Sequence, residues 1–218
     1  MPLDTHTARE QMISQQLRTW GVLDERVLDA VRKVAREKFV PAAYQTLAFA
    51  DENLPLAHDQ VMLAPKLEAR ILQTMGIQPT DQVWIVGAGS GHLAACAAQL
   101  AYKVRVTDAQ ADMANQARRN LQTTTSNNVF VDNVDALQLD LNKAYDVIIV
   151  TGSAPTTLPQ LERALSVGGR LFLVVGKTPV MHALKITRTE EDQWLRETLF
   201  ETELPILSKT LEPNHFVF

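Results

Sequence analysis

Gln82-Val83-Trp84-Ile85-Val86-Gly87-Ala88-Gly89-Ser90-Gly91-His92 is the stretch whose reading decides the fold. Its four apolar residues, 83–86, suit a short buried strand. They run straight into three glycines at alternate positions, and a helix-compatible segment, 93–101, follows at once. In α/β folds a strand feeding a glycine turn and then a helix brings bare main chain against a nucleotide. The spacing is G-x-G-x-G. A dinucleotide fingerprint, G-x-G-x-x-G, needs its last glycine where His92 stands, so the pattern leans away from NAD. The competing reading is a glycine turn that joins strand to helix and binds nothing.

Downstream the rhythm is strand, helix, strand. Strands are expected at 83–86, 103–107, 128–132, 147–150 and 171–175, with helices at 111–121 and 158–165, the latter closed by Gly168-Gly169. The unbroken apolar run 147–150 suits a strand covered on both faces. After Gly176 the pattern alternates through Leu184 and Ile186, turns polar at 189–193 and resumes at 194–200, a hairpin that finishes the sheet antiparallel. Upstream, Thr7 with Glu10 matches a capping box opening a helix with Met12, Ile13, Leu17 and Trp20 on its apolar face and Gly21 at its stop. Asp24 caps a second helix carrying Val27, Leu28, Val31 and Val34. Residues 47–60 read as irregular, and loops of that length are often functional. Pro65 then starts a third helix that Gly76 ends. The expectation is an α/β, Rossmann-like, mostly parallel seven-stranded sheet with a C-terminal antiparallel hairpin. A helical extension with an active-site loop, 1–76, precedes the nucleotide-binding part, 77–218, in one compact unit.

The 218 residues suffice for a full core, and 46% apolar with 21% charged residues is ordinary for a globular protein. A net charge of -4 offers no electrostatic case for nucleic acid or an anionic membrane. The single cysteine, Cys96, fits a reducing compartment and reads as a small buried hydrophobe. No basic region followed by an apolar core opens the chain, so a cytoplasmic protein is expected. The five histidines are scattered, and no metal site is expected. Asp108 ends the second strand 21 positions after Gly87, where a carboxylate can accept both ribose hydroxyl protons of a nucleotide; a solvated strand-end Asp is the alternative. Asp135 follows the third strand, as an acceptor for an adenine amino group or as an Asx turn or helix cap.

Three blocks give the chain a family likeness. They are Gln16-Leu17-Arg18-Thr19 with Asp24-Glu25-Arg26-Val27-Leu28 and Arg36-Glu37-Lys38-Phe39-Val40-Pro41; the glycine loop; and Tyr145-Asp146-Val147-Ile148-Ile149-Val150-Thr151 with Gly168-Gly169-Arg170-Leu171. Together they resemble the protein-L-isoaspartate O-methyltransferase family from about Glu10 to about Leu207; the tail, 212–218, matches nothing recognisable. The resemblance implies S-adenosylmethionine as cofactor and methyl transfer to a carboxylate of damaged protein, a peptide or a small acceptor. Gly87, Gly89 and Gly91 would cradle the methionine part, Asp108 the ribose and Asp135 the adenine, with Val86, Ala88, His92, Ala109 and Ala136 completing the set. The family's "G-H-G-Q-T-I-S-x-P" loop corresponds to Ala57-His58-Asp59-Gln60-Val61-Met62-Leu63-Ala64-Pro65. His58, Gln60, Leu63 and Thr151 thus fall on the acceptor side.

Three departures stand out: Ile85 replaces an acid that orders the turn, Val61 a threonine, and Leu63 a serine aligned with the reactive carboxylate. Methylation of a carboxylate is an in-line displacement whose nucleophile is already ionised, so the protein's task is alignment. A hydrogen bond to a charged group contributes about 1.5–3 kcal/mol, and leucine also desolvates an anion without compensation. The expectation is a retained cofactor site with a changed acceptor site, in which Thr151 and Ser153 supply substitute hydroxyls. The other readings are a module that binds S-adenosylmethionine or its demethylated product without turnover, and an unrelated oxidoreductase.

Overall fold

A computed structural model describes residues 5–124, 127–139 and 144–211. The described residues begin with helix α1 (Thr5–Gln11), which continues into a π-helical turn (Met12–Leu17), then α2 (Glu25–Lys33). Two short paired strands, β1 (Leu54–Pro55) and β2 (Val61–Met62), lead to α3 (Pro65–Met75), which Gly76 ends in the left-handed region at φ 53°. There follow β3 (Gln82–Val86), α4 (His92–Ala98), β4 (Lys103–Asp108), α5 (Ala111–Leu121), β5 (Val129–Asn133), β6 (Tyr145–Ala154), α6 (Pro159–Arg163), β7 (Leu165–Lys177), β8 (Val180–Glu190) and β9 (Gln193–Glu201).

The large sheet has the order β5-β4-β3-β6-β7-β8-β9. β5 through β7 are parallel to one another, and β8 and β9 close the sheet as an antiparallel hairpin. After β3 the chain moves outward to β4 and β5, then returns to β6 on the other flank of β3. That reversal leaves a crevice beyond the carboxyl ends of the strands, where open α/β sheets bind ligands. Alternation along the strands splits the core in two. Val83, Ile85, Val147 and Ile149 face a large apolar cluster that includes residues of the π-helical turn, α2, α3, α4 and α5. Trp84, Val86, Ile148 and Val150 face a smaller one with Leu158 and Leu161. The N-terminal helices therefore share a core with the sheet.

Several local expectations change. Thr7 lies inside α1 rather than before it, and the Glu10 carboxylate accepts from Arg32 Nε at 2.8 Å. Trp20 is half exposed, with the Lys66 ammonium 4.3 Å from its ring centre. Residues 47–60 contain β1, paired to β2. α4 begins one residue earlier and ends three residues sooner than expected, and α6 is only five residues long. Gly168-Gly169 does not close a helix but lies within β7. A Cβ at Gly169 would come 2.8 Å from the carbonyls of Tyr145 and Ser166, so glycine is needed where two strands shift register. The tail, 212–218, lies outside the described residues. Among the described residues no helix is long and apolar enough to cross a membrane.

Candidate cofactor-binding site

The glycine loop begins where β3 runs out. Gly87 sits at φ 93°, and its N–H donates to Thr107 O at 2.8 Å. A Cβ there would collide with Thr151 Oγ1, whose hydroxyl donates to the carbonyls of Val86 and Gly87 at 3.1 and 3.0 Å. Gly91, at φ 88°, is the N-cap of α4 and lies against Ala117 of α5. The Ala88 N–H, between them, donates to Asp108 Oδ2 at 2.8 Å, while Asp108 Oδ1 accepts from Gln110 N at 2.9 Å. The turn is thus ordered from β4, with Ile85 buried in the core where the family pattern has an acid. Burial pushes the Asp108 carboxyl upward, repulsion from Asp112 adds to it, and the two backbone N–H bonds only partly offset the rise.

A cavity of 520 Å³ opens over this turn, at the crevice the strand order creates. Ten of the expected site residues line it: Val86, Gly87, Gly89, Asp108, Ala109, Asp135, Ala136, Thr151, His58 and Gln60. Ala88, Gly91, His92 and Leu63 do not. Asp135 borders the cavity while capping the 3-10 turn Ala136–Gln138: Oδ1 accepts from Leu137 N at 2.9 Å and Oδ2 from Gln138 Nε2 at 3.0 Å. The cap alternative is therefore realised at Oδ1. Each carboxylate oxygen keeps a further lone pair for a ligand donor.

The far wall comes from two segments distant in sequence. At the tip of the β1–β2 hairpin, His58 and Asp59 both sit at φ 57°. His58 Nε2 lies 2.9 Å from each Asp112 oxygen, and this bond holds the Asp112 carboxyl below its usual range. Gln60 Nε2 donates to Ile206 O at 3.0 Å. Ile206 belongs to a segment that docks along β6: Ser153 N donates to Pro205 O, Leu207 N to Ser153 O, and the Ser153 hydroxyl to Leu204 O at 2.9 Å. Pro205, Ile206, Leu207, Ser208 and Thr210 thereby reach the cavity, as do Gln110 and Met113 of the β4–α5 corner. None of these was expected from the sequence.

Leu63 turns its side chain into the core at 3% exposure, and its carbonyl accepts from Arg36 Nη2 at 2.7 Å. It does not plug the cavity. Thr151 and Ser153 already spend their hydroxyl protons on main-chain carbonyls, so in this arrangement neither offers a donor to an acceptor carboxylate. His92 is buried, with Nδ1 2.5 Å from Glu68 Oε2 and its ring edge-on to Phe39.

Residues 7–206 match the family model of protein-L-isoaspartate(D-aspartate) O-methyltransferase. The chain belongs to this family. The protein-L-isoaspartate O-methyltransferase of Koribacter versatilis is 36% identical over 192 residues, covering 88% of this chain and 86% of that one. That of Methanoculleus marisnigri is 36% identical over 183 residues, covering 84% and 83%. The fold agrees with a Plasmodium falciparum structure described as a protein-L-isoaspartate O-methyltransferase in complex with S-adenosyl-L-homocysteine: TM-score 0.82, 19% identity, 92% of this chain and 98% of that one. Gly87 and Gly89 line the cavity and Gly91 lies against α5, while Val61 borders the cavity and Leu63 does not.

Proposed function

We propose that this methyltransferase takes S-adenosylmethionine as its cofactor and moves a methyl group to a carboxylate of a protein acceptor. The observation that carries the reading is the cradle itself. Main chain stripped of side chains at Gly87 and Gly89 lies beside a partly buried Asp108 carboxylate, in a cavity within the 300–1,000 Å³ range of small-molecule sites. Asp108 accepts the ribose hydroxyl protons, the bare main chain at Gly87 and Gly89 lies beside the amino-acid end, and Val134 to Leu137 border the base. S-adenosylmethionine, when bound, supplies an electrophilic methyl group. The chain's own residues bind, align and exclude water. No general base is required, because an acceptor carboxylate is ionised at neutral pH. A buried, unpaired Cys96 fits a reducing, cytoplasmic setting.

The acceptor side is where this member differs. With Val61 and Leu63 at the positions that the resemblance gives to hydroxyls, and with Thr151 and Ser153 donating to main-chain carbonyls, none of these four side chains offers an acceptor carboxylate a hydrogen bond. This favours an acceptor other than the family's isoaspartyl carboxylate, or cofactor binding with slow turnover. Calorimetric titration with S-adenosylmethionine and NAD, followed by tritiated-methyl transfer to an isoaspartyl peptide, tests both levels. Binding of the first ligand alone is expected, with weak transfer that Val61→Thr, at the hydroxyl position that borders the cavity, raises about tenfold, the equivalent of one charged hydrogen bond. Full activity in the unmodified protein rejects the changed acceptor, and no response to S-adenosylmethionine rejects the function.

A further inference from the structure

Behind the glycine loop lies a buried polar group that binds nothing in the cavity. Arg36 is 1% exposed, Glu68 3% and His92 2%. The Arg36 guanidinium forks to three acceptors: Nε to Ala48 O at 3.0 Å, Nη2 to Leu63 O at 2.7 Å and Nη1 to Glu68 Oε2 at 2.6 Å. The same Glu68 oxygen meets His92 Nδ1 at 2.5 Å. His92 is the first residue of α4, directly after Gly91, and Leu63 stands two residues before α3. One guanidinium therefore grips the main chain of the acceptor-side loop and, through one carboxylate, the first residue after the glycine turn. We propose that Arg36 is a positioning residue, holding the main chain at Leu63 in register with the glycine loop through Glu68 and His92. The proposal rests on the methyl-transfer reading above.

Charge bookkeeping supports a permanent link. Burial alone would raise the Glu68 carboxyl, but the charges of His92 and Arg36 and their hydrogen bonds outweigh it and hold the group below its usual range. Glu68 thus stays ionised, and the ion pair persists. Side chains of this kind fix geometry more than they add stability. Geometry is what an in-line transfer needs, since a misplacement of about 1 Å costs on the order of a hundredfold in rate. Lysine cannot substitute: a single ammonium on a flexible stem does not reproduce a planar fork to three acceptors.

Arg36→Lys is the test. S-adenosylhomocysteine affinity is expected within about threefold of wild type, with kcat lowered about ten- to a hundredfold and KM changed far less. A purely structural role would instead lower folded fraction and affinity together. Amide hydrogen exchange in the S-adenosylhomocysteine-saturated protein reads the same link without turnover: exchange over residues 61–66 speeds up in Arg36→Lys while 87–91 stays protected. Equal exchange, or an unchanged kcat, overturns the proposal. Should Arg36→Lys not fold, Glu68→Gln keeps the shape, removes the charge and takes the same readouts. Failure of S-adenosylhomocysteine to bind the wild-type protein would remove the methyl-transfer reading and this proposal together; binding with equal exchange removes only this one.

Discussion

Asp108 has two jobs that pull against each other. It accepts from the Ala88 and Gln110 amides to shape the turn, and it faces the cavity as the ribose acceptor. Asn at this position keeps one acceptor oxygen and loses the charge, so Asp108→Asn is expected to weaken S-adenosylhomocysteine binding about ten- to a hundredfold by calorimetry, with a smaller loss of stability. The raised carboxyl also sets a pH dependence. Its folded-state pKa lies above the unfolded value, so the buried charge opposes folding above the folded pKa, and that penalty disappears as pH falls to the unfolded value. Ribose binding needs the charged form and runs the other way. On acidification from neutral pH, cofactor affinity is therefore expected to begin falling earlier than for an ordinary aspartate, and Asp108→Asn should remove that slope. An acid-side fall in affinity that begins no earlier in the wild type than in the variant would refute the assignment. Asp108 was legible because the offset from Gly87 to the end of the next strand is set by the βαβ unit. Leu63 was not: alignment with a family motif shows which residue stands there, but not that its side chain turns inward while its carbonyl meets Arg36.

At the level of the element, the β3–turn–α4 unit makes the sharper demand. Gly87 combines a left-handed φ of 93° with a main chain pressed against Thr151 Oγ1. Gly87→Ala is expected to cost about 1–3 kcal/mol from backbone strain alone, with the collision added, and to abolish measurable cofactor binding. Gly87→Ala with Thr151→Ala removes the collision and leaves the strain. The double variant should therefore be less than additively destabilised in denaturant melts, recovering stability but not affinity. Strict additivity would mean the two residues do not meet. The strands and helices of this region were readable because periods of 2 and 3.6 are written in the apolar residues themselves. Glycine was the ambiguous letter. At Gly76 it ends a helix as expected, whereas at Gly168-Gly169 it sits inside β7 to let the strand pass Tyr145, a contact no local pattern announces. The Thr7–Glu10 pattern misled for a related reason, since the Glu10 carboxylate finds Arg32 of α2 instead.

Across the whole molecule, the cavity is closed by parts of the chain that meet only after folding. The tip of the β1–β2 hairpin comes from the N-terminal part, the segment around Ile206 from beyond β9, and Gln60 Nε2 joins them across 146 positions. Met12, Leu28 and Leu72, from before residue 76, lie in one core cluster with Val83 from after it. Nothing in a linear pattern signals the docking of 204–207 along β6, since that short stretch forms a single bridge, Ser153 to Ile206, and no regular strand. The closure has a kinetic consequence. The hairpin tip and the C-terminal segment form one wall of the cavity, and loosening that wall is expected to speed ligand release. Gln60→Leu deletes a side-chain bond between them at a half-buried site and touches no strand of the large sheet. Its effect on stability is expected to be small, about 0.5–1.5 kcal/mol in denaturant unfolding. Its effect on S-adenosylhomocysteine dissociation, read by stopped-flow displacement, is expected to be a severalfold faster off-rate with little change in on-rate. A Gln60→Leu protein that releases ligand no faster than wild type would mean that the wall opens elsewhere, leaving the exposed His58–Asp112 contact to govern release.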